Sequence, residues 1–185
     1  MKVIKPGSTA LYPVPTVLVS CGVEKPNIIT LAWVGTLCSD PPVVGIGVRP
    51  ERFSHGLIVE AGEFVVNLPR ADQVGIADYC GQVSGRQVDK WQACGLTPAP
   101  ASKVRTPLIA ECAVALECKV LQRLTLGTHD LFVGQVLAVQ IEEGVLTEQG
   151  KMDYEAALPL AYAGGYYWQL GARLGRFGDW RKDFG

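Results

Sequence analysis

Glycine and proline cut the apolar residues of this chain into short runs rich in Val, Ile, Leu and Thr, a pattern that favours strands over long helices. Strands are expected over residues 14–23, 28–36, 43–48 and 64–67, and again over 112–124 and 131–141. Glu24-Lys25-Pro26-Asn27 reads as a hairpin loop between the first two. Asp40-Pro41-Pro42 ends the second, because proline donates no ladder hydrogen bond. Within 112–124, Cys112, Val114, Leu116, Cys118 and Val120 share one face, with Glu117 and Lys119 on the other. Helical spacing is confined to Phe53, Leu57 and Ile58, and to Val74, Ala77 and Cys80 behind a candidate cap, Asp72. From about Leu158 onward, glycines and aromatics (Tyr162, Tyr166, Tyr167, Trp168, Phe177, Trp180) make an extension too apolar to remain in solvent. The expectation is an all-β barrel with minor α: residues 1–185 form a single domain, short helices are inserted, and about residues 158–185 pack on the barrel or on a dimer partner.

Composition limits the function classes. Lys+Arg of 17 against Asp+Glu of 18 gives a net charge of −1, without the diffuse positive field of a nucleic-acid or anionic-membrane binder. With 48% hydrophobic and 19% charged residues, the chain has enough apolar surface to fold rather than stay disordered. A mean hydropathy of +0.19 is high for a chain this size and leads us to expect a homodimer. The longest apolar run, residues 28–38, is far too short to cross a bilayer, and Met1–Pro6 holds no export-signal core. Six cysteines without a Cys-x-x-Cys pair, and only two histidines, are expected to be reduced thiols in a cytoplasm with no metal site.

Particular residues go further. Pro13-Val14-Pro15, then Pro26-Asn27-Ile28-Ile29-Thr30-Leu31-Ala32-Trp33, Ser39-Asp40-Pro41-Pro42 and the stretch from Arg49 to Ser54-His55 occur in a distinctive order. They are followed by Gly62-Glu63-Phe64-Val65-Val66-Asn67-Leu68-Pro69, Ser84-Gly85-Arg86 with Asp89-Lys90, and Gly127-Thr128-His129-Asp130-Leu131-Phe132-Val133-Gly134. Together these segments resemble the flavin reductase-like, flavoredoxin-type proteins, whose fold is an FMN-binding split barrel. The resemblance implies an FMN site. Its ring and ribityl contacts would come from Thr30, Leu31, Ala32, Trp33, Thr36, Leu37 and Cys38, and its phosphate contacts from Arg52, Ser54 and Lys90. Asn67, Leu68 and Pro69 would turn beside the flavin, and Ser84, Gly85 and Arg86, with Asp89 and Lys90, would close over the phosphate or a partner's site.

Two residues are candidates for catalysis. His129 titrates near neutrality and could protonate a reduced acceptor or bond the flavin or nicotinamide, or it could simply bond backbone at the start of a strand. Cys38 could lie against the ring or be an inert small hydrophobe. The resemblance implies electron transfer through FMN, with NAD(P)H as co-substrate and a flavin, ferric or protein acceptor. A flavoredoxin-like carrier reduced by a protein donor is the alternative. The chain has no Gly-x-Gly-x-x-Gly, so any nicotinamide must stack directly on the flavin.

Overall fold

The computed structural model describes residues 1–183. Strands Val14–Pro15 (β1), Val17–Cys21 (β2) and Asn27–Leu31 (β3) come first, with β2 and β3 forming the expected hairpin. A bend at Ala32 and Trp33 separates β3 from Val34–Ser39 (β4), which turns at Pro41 into Pro42–Val48 (β5). Helix Phe53–Ala61 (α1) leads to Glu63–Leu68 (β6), and helices Val74–Gln82 (α2) and Lys90–Cys94 (α3) follow. The two-residue strands Pro98–Ala99 (β7) and Leu108–Ile109 (β8) pair with each other. Two long strands, Val114–Thr125 (β9) and Asp130–Ile141 (β10), precede the short helix Tyr154–Ala157 (α4) and the hairpin of Leu160–Ala163 (β11) and Tyr166–Gln169 (β12).

Seven of these strands form one antiparallel sheet in the order β3-β2-β6-β9-β10-β5-β4. Strands β3 and β4 lie at opposite edges, yet only two residues connect them, a reach of roughly 10 Å. The sheet must therefore curl until its edges nearly meet, and no ladder joins them there: the barrel is split. Register shifts at Thr36/Cys38 in β4, and at Val133/Gly134 and Val136/Ala138 in β10, supply the local bends that such curvature needs. At Gly134 a Cβ atom would lie 2.6 Å from Phe64 Cζ, so only glycine lets the Phe64 ring fill the barrel interior.

The sequence reading runs β3 and β4 together as residues 28–36, because the apolar run is unbroken. The structure divides it at Ala32 and Trp33, where the chain crosses from one sheet edge to the other. Asp72 does not cap α2. It lies in a single 3-10 turn, Ala71–Gln73, where its carboxylate faces Arg70 at 3.4 Å. The C-terminal extension divides in two. Strand β11 pairs with β1 and Leu160 is buried, whereas Leu174 and Phe177 further on are fully exposed. Residues 184–185 lie outside the described residues.

Strand β2 is buried on both faces. Val17, Val19 and Cys21 point into the barrel with Ile46, Phe64 and Phe132, while Leu18 packs with Ile28 beneath Ala77 and Cys80 of α2 and Trp91 of α3. Along β9 the alternation holds, but the second face opens to solvent only from Lys119 onward: Glu117 is 0% exposed. Its carboxylate accepts from the Ser102 and Lys103 amides at 2.9 and 2.5 Å, from Ser102 Oγ at 2.9 Å and from Gln140 Nε2 at 2.8 Å. Burial alone would raise its pKa. The hydrogen bonds, led by Gln140 and the Ser102 and Lys103 amides, outweigh burial and hold it at about 2. A group depressed in this way stabilises the fold above its ordinary value of 4.5, and that stabilisation drains away as pH falls towards 2. Glu117→Gln should cost about 2 kcal/mol in urea denaturation at pH 7, because a neutral amide cannot accept from all these donors. The variant should also show a shallower loss of stability between pH 4.5 and 2 than the wild-type protein.

Candidate functional site

The open edge of β3 borders a groove made of two adjoining cavities, of about 160 and 320 Å³, that share Ile29, Arg52 and Gly81. Lys90 Nζ donates to the Ile28 carbonyl at 2.7 Å, so Ile28 turns its backbone away from β2. Strand alternation then turns the Thr30 backbone outward as well, towards the groove. The Thr30 side chain is engaged elsewhere, donating to the Ala77 carbonyl of α2 at 2.5 Å.

The larger cavity is suited to an anion. Helix α1 begins beside it with Arg52 as its N-cap in extended conformation, no side-chain cap and no acidic residue in the first turn. The first amides and the positive end of the helix dipole are therefore free to act on a ligand. Ser54 is buried in this wall, and its Oγ accepts from Asn27 Nδ2 at 2.8 Å. Lys90 is only 3% exposed, held by the carbonyls of Ile28 and Cys80 at 2.7 Å each, which leaves one of its three ammonium protons. Burial lowers its pKa from the ordinary lysine value, countered in part by the Cys80 and Cys21 thiols. Arg86 spans the mouth: Nη1 donates to the Glu51 carbonyl at 3.1 Å, and the guanidinium lies 5.4 Å from the Phe53 ring centre.

The smaller cavity is lined by Thr30, Leu31, Ala32, Trp33, Gly47, Arg49 and His129. His129 is half-buried, with Nδ1 3.0 Å from Thr128 Oγ1. Burial, reinforced by the Arg49 charge, pulls its pKa below the ordinary histidine value, so the ring is neutral at pH 7. Beyond Trp33 and His129 lies an apolar hollow of about 410 Å³, with Leu37, Leu126 and Leu131 in its wall. The two ends of the groove are braced through the fold. Buried His55, in the first turn of α1, meets Asp130 at the start of β10, Nε2 to Oδ2, at 2.8 Å. That hydrogen bond holds the Asp130 carboxyl below the usual range.

Of the residues expected in the site, the fold brings Thr30, Leu31, Ala32, Trp33, Arg52, Ser54, Ser84, Gly85, Lys90 and His129 to the groove, with Arg86 across its mouth. Leu37 faces the neighbouring hollow. Thr36 and Cys38 line none of these cavities. They are exposed on edge strand β4, and the Cys38 thiol donates to the Asp40 carbonyl at 3.4 Å. Asn67, Leu68 and Pro69 also lie outside them. Asn67 is fully buried, its Nδ2 donating to the Leu18 carbonyl and Ser20 Oγ at 3.1 Å and its Oδ1 accepting from the Ile109 amide at 3.0 Å. Its amide therefore staples β6 to β2 and β8. Sequence reasoning did not select Asn27, Ile29, Arg49, Phe53 or Gly81. Asn27, Ile29, Arg49 and Phe53 do stand inside the recognisable segments, but nothing in their local pattern separates a groove residue from a core or turn residue.

Gly85 lies so close to Asn27 that a Cβ atom there would overlap Asn27 Oδ1 and sit 2.9 Å from Phe53 Cδ1. Gly85→Ala should therefore displace the 84–86 turn at a cost of about 1–3 kcal/mol. A lowered unfolding midpoint and faster amide exchange across residues 83–88 would register that displacement.

Comparison with known proteins gives a consistent result. Residues 9–171 match the model of the flavin reductase like domain. The flavoredoxin of Methanosarcina acetivorans superposes with a TM-score of 0.91 at 34% identity, covering 100% of both chains. The flavoredoxin of Desulfovibrio vulgaris (Miyazaki F) gives 0.91 at 31% identity, over 97% of this chain and 98% of that one. An FMN-binding protein of Thermus thermophilus, solved with bound 1-cyclohex-2-enone, gives 0.76 at 33% identity over 91% and 93% of the two chains. On its sequence match and its split-barrel fold, the chain belongs to the flavin reductase-like family.

Proposed function

We propose that this protein is an FMN-dependent oxidoreductase that moves electrons from NAD(P)H to a flavin, ferric or protein acceptor. The observation that carries this reading is the two-ended groove. One end has the uncapped α1 terminus with Arg52, Ser54 and Lys90, and the other has the unpaired β3 backbone with Trp33 and His129. A flat amphipathic ring on a chain ending in a dianionic phosphate matches that layout. FMN, when bound, supplies the chemistry by accepting a hydride and passing electrons onward.

The chain's own residues bind and orient. Arg52, the Ser54 hydroxyl, the first amides of α1 and the free Lys90 proton hold the phosphate. The outward Thr30 backbone bonds a polar ring edge, and Trp33 shields the ring end from water. Thr128 engages Nδ1 of His129, leaving Nε2 to exchange a proton with an acceptor. A nicotinamide would enter over the apolar hollow at Leu37 and Leu131. Leu121, Leu124, Leu126 and Val139 leave apolar side chains exposed along β9, β10 and the turn after β9, and we read the working unit as a homodimer. The six free thiols suit a reducing cytoplasm. A second reading is a flavoredoxin-like carrier reduced by a protein donor, favoured by identities of 31% and 34% to two flavoredoxins over nearly their whole length.

An anaerobic visible spectrum with added FMN, before and after NADH or NADPH, decides between the readings. Rapid bleaching by either nucleotide supports the reductase. A bound flavin that bleaches only with dithionite supports the carrier, and a protein that takes up no FMN ends both. Arg52→Ala should weaken FMN binding about tenfold in a fluorescence-quenching titration, the loss shrinking as salt rises. Unchanged affinity in Arg52→Ala combined with Lys90→Ala would remove the phosphate assignment.

A further inference from the structure

The thiols of Cys80 and Cys94 lie 3.7 Å apart, Sγ to Sγ, and both are reduced. Cys80, late in α2, lines the anion end of the groove, while Cys94 closes α3 and is the more exposed of the two. Lys90 stands four residues before Cys94, so both side chains leave α3 on one face, towards α2. The Lys90 ammonium is held by the carbonyl of Cys80 itself. The thiol pair and the buried cation of the groove therefore share an anchoring residue, and the electron transfer proposed above uses neither thiol.

We propose that Cys80 and Cys94 form a reversible oxidation site, closed to a disulfide by a low-molecular-weight disulfide, and that closure weakens anion binding in the groove. Cys94 attacks first: its thiolate forms a bond to one sulfur of the small disulfide and expels a thiolate, which takes up a proton. Cys80 then loses its proton to solvent, and its sulfur displaces the second small thiolate from Cys94. Two protein thiols and one small disulfide become one protein disulfide and two small thiols, with two electrons passing to the small molecule. The order follows from the environment. Burial and the adjoining Cys94 push the Cys80 thiol up to about 12, so it resolves rather than initiates.

Closure must draw the two sulfurs together by roughly 1.6 Å, since the bond is about 2.05 Å long. The end of α3 then moves against the last turns of α2, while the other carbonyl holding Lys90, that of Ile28, belongs to the sheet. That shift strains the two hydrogen bonds that fix the ammonium and alters how it is presented at the groove wall.

The effect on FMN rests on the reading under Proposed function, and the test separates the two. Reduced protein is titrated with FMN, treated with oxidised glutathione, repurified and titrated again. Oxidation should remove two of the six free thiols, lower the mass by two hydrogens, and join the peptides bearing residues 80 and 94 until dithiothreitol is added. FMN affinity should fall about fivefold, and Cys94→Ser should bind like the reduced protein and ignore oxidised glutathione. Glutathione adducts without the 80–94 link, or the link with unchanged affinity, would overturn the inference. If the reduced protein takes up no FMN, the FMN reading fails, and inorganic phosphate replaces it as the probe. Its affinity must then fall on oxidation for the inference to stand.

Discussion

The connection between β3 and β4 is only two residues long, and the rest of the architecture answers to it. Ala32 and Trp33 tie opposite edges of a seven-stranded sheet, so the sheet curls, the interior fills with Val19, Ile46, Phe64 and Phe132, and the groove forms where the edges fail to pair. An unpaired edge is usually a hazard, because its free amides and carbonyls invite a foreign strand. Here α2 and α3 pack against that edge, and the groove beside it is lined by Val83, Ser84 and Gly85.

Buried polar groups hold these layers in register. Glu117 gathers the 102–104 backbone onto β9, Asn67 fastens β2, β6 and β8, and Lys90 fixes α2 and α3 to β3. Each is tolerated inside because it is hydrogen-bonded, and removing any partner strands the others away from water. His55 and Asp130 do the same between α1 and β10, so the two ends of the groove are parts of one rigid frame.

Much of this could be seen in the amino-acid order, for definable reasons. Strand boundaries marked by Pro26, Pro41 and the glycines were legible because those residues act locally on backbone geometry. The break at Ala32 and Trp33 was not, because it is imposed by a sheet edge far away in sequence. Helix α3 has five residues, too few for periodicity, and Asp89, whose carboxylate caps the Trp91 and Gln92 amides, was its only signal. Arg52 and Ser54 were singled out through recognisable segments, and the fold brings both to the groove wall. For Cys38 two readings stood open in the sequence, against the ring or inert, and the fold places it exposed on edge strand β4 with its thiol on the Asp40 carbonyl. The burial of Lys90 and Glu117 had no local sign, since both residue types usually face solvent.

The anchoring of Lys90 has a consequence for exchange. A surface lysine releases an anion by swinging its chain through solvent within nanoseconds. This one cannot swing, because its ammonium is buried and fastened to a helix carbonyl and a strand carbonyl. The helix pair must part from the sheet before the charge can retreat. The charge that Lys90 presents at the groove wall is thus fixed on the slow clock of local unfolding rather than the fast clock of rotamers.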